Sequence, residues 1–193
     1  MALVSFAPYQ PQPGDGVLCH TKDVYGFFIR LAQAIKWWKG HQYNHMAIVV
    51  RVDADGTVWC RQMHRRCELT RLVDIAPGGY VKVVPCPPGV NRDDAVAYAN
   101  LLSDTHYSVI TIISIVFNLF LPNFLQVDFI HPNSLMCSAY VARCWEHGDW
   151  DCAYKGKQID PFQVTPGQMD IILSEQQSYM IYVPPKSKDW PYK

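Results

Sequence analysis

Apolar and polar positions change period along the chain, and each change marks an element. "PQPGDGVLCH" reads as a turn leading into a short strand at 16–20. Over residues 22–38 the period lengthens. Phe27, Phe28, Leu31, Ala34, Ile35 and Trp38 fall three and four residues apart, which predicts a helix with one apolar face, closed by Gly40. "YNHMAIVVRV" (43–52) and "TVWCRQMHR" (57–65) are apolar and rich in β-branched residues. They flank "DADG", a hairpin turn signal, and so predict two paired strands.

A third strand is expected at 80–85, after a Gly-Gly turn. "NRDDAVAYANLLSD" (91–104) predicts a helix, with Asn91 as N-cap and acids in the first turn. The run "VITIISIVFNLFL" (109–121) is shorter than the ~20 residues of a spanning helix, and Pro122 ends it. A buried helix is the first reading of it, a lid or membrane-interface segment the second. Residues 133–148, "NSLMCSAYVARCWEHG", predict a helix with Asn133 or Ser134 as N-cap and Gly148 just past its end. A last strand is expected at 178–184, then a loose tail from about 185. The order of elements implies an α+β fold in a single domain over 1–193, an antiparallel sheet packed on helices.

Composition narrows the function classes. Lys+Arg and Asp+Glu are 17 each, so no net charge favours nucleic acid or an anionic membrane surface. The opening residues carry no basic n-region and no long apolar run, so no secretory signal is expected, and a cytoplasmic or virion-associated location is. Seven cysteines is an odd number with no CxxC pair, which points to reduced, mostly buried thiols.

Two of these thiols share the 133–148 helix. Cys137 falls in its first turn, where the free N–H groups and the helix dipole favour a thiolate. Cys144 lies two turns on and reads as core packing. Among seven histidines, His45 stands out because it opens the apolar strand "MAIVV". If "DADG" is the hairpin loop, Val52 faces Thr57, and counting back sets His64 opposite His45 with Gln62 as the diagonal neighbour. Either residue could bond the imidazole and fix its tautomer, and a one-residue bulge would change which. Cys60, His64 and Cys67, with Cys19 and His20 nearby, raise a zinc site as a rival. Their spacing lacks paired knuckles, so no metal or cofactor is expected.

"PGDGVL", "YNHMAIVV", a second hairpin strand, "CSAYV" and "VTPGQMD" follow one another in that order. The chain thereby resembles, from about residue 13 to about 170, the circularly permuted NlpC/P60 papain-like thiol hydrolases. That group includes YiiX/YaeF-like and lecithin:retinol-acyltransferase-like proteins. The resemblance implies a permuted papain-like fold, with Cys137 as nucleophile and His45 as general base. It makes Gly14 and Asp15 a structural lead-in turn, and puts Gln62 where the family often carries Glu. A neutral amide can orient the imidazole but cannot supply a charge to the imidazolium. The implied activity is a cysteine-dependent amidase or peptidase acting through an acyl-enzyme on a peptide, such as a peptidoglycan stem. A lipid acyl or thioester hydrolase or acyltransferase is the alternative within the fold. A catalytically weak or inactive binding module of a phage or bacterial assembly is the alternative outside catalysis. The expected partner is a peptide or acyl substrate, with no nucleic acid and no integral membrane span.

Overall fold

The run HMAIVVRV lies in the middle of the fold because its first six residues are all buried, which only a strand covered on both faces allows. The structure, a computed structural model, describes residues 4–5, 9–22, 24–36, 42–64, 66–104, 106–107 and 134–185. In chain order the elements begin with β1 (Val4–Ser5), β2 (Gly16–Cys19), α1 (Val24–Lys36), β3 (His45–Val52), β4 (Val58–Met63) and β5 (Cys67–Arg71). There follow α2 (Leu72–Ile75), β6 (Gly79–Val84), α3 (Arg92–Leu101), β7 (His106–Tyr107), β8 (Ser134–Leu135) and α4 (Cys137–His147). The last are β9 (Ala153–Tyr154), β10 (Lys157–Gln158), α5 (Pro166–Ile172) and β11 (Ser178–Val183).

Among the described residues, seven strands form one sheet in the order β1-β11-β6-β2-β3-β4-β5. Only the β1–β11 pair within it is parallel. The mixed α+β class expected from the pattern is therefore observed. Strand alternation divides the core in two. Leu18, Met46, Ile48, Met63 and Val84 pack with residues of α3, α4 and α5. Val17, Cys19, Ala47, Val49, Cys60 and Val83 pack on the other face, with Leu72 and Ile75 of α2.

The lead-in turn holds α4 in place. Gly14 has φ +91, which a side chain would strain. A Cβ on Gly16 would come within 2.8 Å of both Met46 Cε and Trp145 Cη2, so only glycine admits the indole there. The Trp145 Nε1–H then donates to the Gly14 carbonyl at 2.8 Å. Between the glycines, Asp15 is fully buried. Its Oδ1 accepts from Arg92 Nη1 at 2.8 Å and Cys86 N at 3.0 Å. Its Oδ2 accepts from Tyr9 Oη at 2.7 Å and Gln12 N at 2.8 Å.

Several expectations need correction. The helix predicted over 22–38 is observed as Val24–Lys36, and two residues of its apolar stripe, Phe27 and Leu31, face outward. Phe27 and Leu31 are 62% and 47% exposed, whereas Gly26, Ile29 and Gln33 are buried. Hydrogen bonding decides this: Gln33 Nε2 donates to the Tyr43 carbonyl at 2.7 Å, and Gln33 Oε1 accepts from Gly167 N at 2.7 Å. The predicted N-cap of the cysteine helix is also displaced. Met136 caps α4 without a side-chain bond, and Ser134 pairs with His106 in a two-stranded ladder. The strand β5 and the short helix α2 carried no prediction. Asn91 caps α3 as expected, accepting from the N–H groups of Asp93 and Asp94. Trp38, Gly40, the 109–125 segment, Asn133 and residues 186–193 lie outside the described residues.

Replacing Asp15 by Asn removes the charge while keeping the shape, and leaves Arg92 without its carboxylate. The variant is expected to lose about 3 kcal/mol of stability, roughly 6–12 °C in Tm, read by thermal or urea denaturation.

Candidate active site

His45 is the first residue of β3, paired across the ladder with Cys19. The hairpin register explains its contact. The turn is one residue longer than counted, setting Val52 against Val58 rather than Thr57, and a bulge between Val49 and Arg51 takes up the offset. Ala47 therefore faces Gln62, and the diagonal neighbour reaches the ring. His45 Nε2 and Gln62 Oε1 are 2.7 Å apart, with both side chains buried.

His64 lines the same cavity as His45 but is not paired opposite it. The strand β4 ends at Met63, and the chain turns there, His64 N donating to the Arg66 carbonyl. The His64 ring stands instead 3.9 Å from Glu68 Oε1, half exposed.

The tautomer of His45 follows from what lies behind Gln62. The Gln62 Nε2 amino group donates to Glu68 Oε1 at 3.1 Å and Thr70 Oγ1 at 3.2 Å. A carboxylate oxygen can only accept, so the amide turns its oxygen to the imidazole. That oxygen also only accepts, so His45 carries its proton on Nε2, and the basic lone pair of the neutral ring is on Nδ1. Glu68 and Thr70 come from β5, which the sequence reading missed. The signal was present: in "CELT", Glu68 and Thr70 alternate with the apolar Cys67 and Leu69, and Gln62 pairs directly with Glu68.

Cys137 opens α4 and is fully buried. As N1 it sits at the positive end of the helix dipole, and the N-cap residue Met136 makes no side-chain capping bond. The start of α4 is tied to the start of β3 through intermediates. Ser138 Oγ donates to the Val164 carbonyl at 2.5 Å. Three residues on, Gly167 N bonds Gln33, which holds the carbonyl of Tyr43, two residues before His45. The helix packs on the Met46–Ile48 face, whereas His45 shares the parity of Ala47 on the α2 face. The helix α4 thus packs directly on one face of β3, while strand alternation turns the His45 side chain to the other.

A cavity of about 710 Å³ opens on the His45 side. His20, Lys22, Glu68 and Asp74 give it polar walls, and Ile75 and Pro77 an apolar part. Cys137 is not among the described residues that line it.

The other thiols are built for packing. Burial raises those of Cys86 to about 11 and of Cys60 and Cys152 to about 12, and pushes Cys67 and Cys144 up as well. Cys144 lies by Tyr140, whose hydroxyl accepts from Cys67 at 3.4 Å and donates to the Ala99 carbonyl at 2.7 Å. Of the thiols in the zinc rival, Cys60 and Cys67 point to opposite faces of the sheet. Among the described residues, no group of three or more His, Cys, Asp or Glu side chains is placed to hold a metal ion. No described helix is long and apolar enough to cross a membrane.

A thiol raised to about 11 is ionised in about one molecule in several thousand at pH 7.5. Cys60, Cys86 and Cys152 are therefore expected to resist alkylation near neutrality. Their rates should climb about tenfold per pH unit until the protein unfolds or the thiol titrates, as peptide mapping by mass spectrometry would show.

No protein-family model matches the chain, and no curated protein does. Among solved structures it is similar to the crystal structure of the metalloprotein YiiX from Escherichia coli, with a TM-score of 0.51 and 15% identity. The match covers 95% of this chain and 94% of that one. The two share a fold over nearly their full lengths.

Proposed function

We propose that the protein is a cysteine-dependent hydrolase of the amidase or peptidase type, on a permuted papain-like scaffold, with Cys137 as nucleophile and His45 as general base. The observation that carries the reading is the 2.7 Å bond from His45 Nε2 to an oriented Gln62 amide. It leaves Nδ1 as the basic nitrogen of the neutral ring, the state in which an imidazole takes a thiol proton. Cys137 at the first position of α4 supports the same reading, since a helix N-terminus stabilises a thiolate.

In this mechanism His45 takes the Cys137 proton, and the sulfur attacks the substrate carbonyl carbon. The tetrahedral oxyanion accepts a hydrogen bond from the Cys137 backbone N–H. His45 gives its proton to the leaving amine as the C–N bond breaks. Water, deprotonated by His45, then hydrolyses the thioester and restores the thiol. Gln62 holds the ring throughout, and His64 has no part in the triad.

Iodoacetamide at neutral pH is expected to modify Cys137 well ahead of the other six cysteines. His45→Ala should slow that reaction on the order of 100-fold. Peptide mapping against time measures both, and uniform labelling of the cysteines would overturn the hydrolase reading in favour of a binding module.

A further inference from the structure

The groups behind Gln62 do more than fill space. Glu68 and Thr70 lie on the same face of β5 and together take the Gln62 amino group. Without an acceptor there the amide could turn over, presenting its NH₂ to His45. The imidazole would then have to accept at Nε2 and carry its proton on Nδ1, where it cannot act as a base. The carboxylate also sets a negative charge one amide away from the ring, in partly buried surroundings where charges are felt more strongly than in water.

We propose that Glu68 is a positioning residue for His45: acting through Gln62, it fixes the tautomer of the imidazole and stabilises its protonated form. The proposal rests on His45 being the base and deepens that reading. It supplies the charge that a Gln in the third position lacks. It also gives His64 a role outside the triad, because His64 Nδ1 lies 3.9 Å from the same Glu68 oxygen. The other charged or titratable groups around the cavity are His20, Lys22 and Asp74. Arg30 lies against His20, and Arg71 engages Asp74 at 2.7 Å. None of these is hydrogen-bonded to Gln62 among the described residues.

The test is a histidine titration by NMR on the full chain, with the His45 signals assigned from their loss in His45→Ala. Glu68→Gln keeps an acceptor for the Gln62 amino group and removes only the charge. A nearby anion favours imidazolium, so its removal should lower the His45 pKa, by about 0.5 to 1 pH unit. Added salt should shrink the difference between wild type and variant because Glu68 is 40% exposed. Glu68→Asp should restore part of the shift. Glu68→Ala combined with Thr70→Val removes both acceptors, and the ¹⁵N shifts of His45 should then report a mixture of tautomers.

A merely structural Glu68 would change stability but move neither the titration nor the tautomer of His45. Unchanged His45 behaviour in folded Glu68→Gln, whatever His64 does, overturns the proposal. Selective alkylation of Cys137 is a separate readout. If it fails while His45 still responds to Glu68, the hydrolase reading falls and the relay stands.

Discussion

The arrangement depends on one buried carboxylate. Asp15 gathers four donors from along the chain: Tyr9, the turn at Gln12, Cys86 two residues past β6 and Arg92 at the start of α3. A fully buried carboxylate is tolerable only when its oxygens are saturated in this way. Its position between Gly14 and Gly16 makes the same turn the seat of Trp145. The axis of α4, and with it the place where Cys137 starts, is therefore set from a turn about 130 residues earlier in the chain.

The opposite end of α4 is held differently. Ser138 bonds the segment leading into α5, and Gln33 bridges that helix to the backbone before His45. Lys82 of β6 adds an ion pair to Asp170 at 2.6 Å. These short polar clamps add to the apolar packing of Met136, Cys137 and Tyr140 with Met46 and Ile48 of β3. Alternation along β3 then sorts the chemistry: odd positions carry His45 to the α2 face, even positions carry Met46 and Ile48 to the helix layer.

Most of this was legible where a single period dominates. The strands at 45–52, 58–63, 79–84 and 178–183, the helix capped by Asn91 and the stop at Gly148 all follow from local pattern. What was illegible depends on partners distant in sequence. The apolar stripe of α1 reads as the buried face, yet Gln33, a polar residue, is 1% exposed because its two bonds reach Tyr43 and Gly167. The hairpin count reached the correct far-end register through two offsetting shifts, a longer turn and a bulge. It could not foresee that β4 stops before His64. Of the site residues, Gln62 was identified as a possible ring partner, whereas Glu68 matters only through its pairing with Gln62, which the alternation in "CELT" does not disclose.

The choice of an amide in front of a carboxylate has a physical consequence. A carboxylate bonded directly to a buried imidazole favours the cation strongly, and a ring held protonated at neutral pH is a poor base. An amide alone orients the ring but adds no charge. Here the two functions are divided: Gln62 makes the short, directional contact with His45, and Glu68, half exposed on the next strand, contributes a weaker field from behind it. On the proposed reading, screening by water moderates that field at the ring. The pairing of Gln62 with Glu68 across β4 and β5 is what makes this division available, since directly opposed residues of an antiparallel ladder present their side chains on one face.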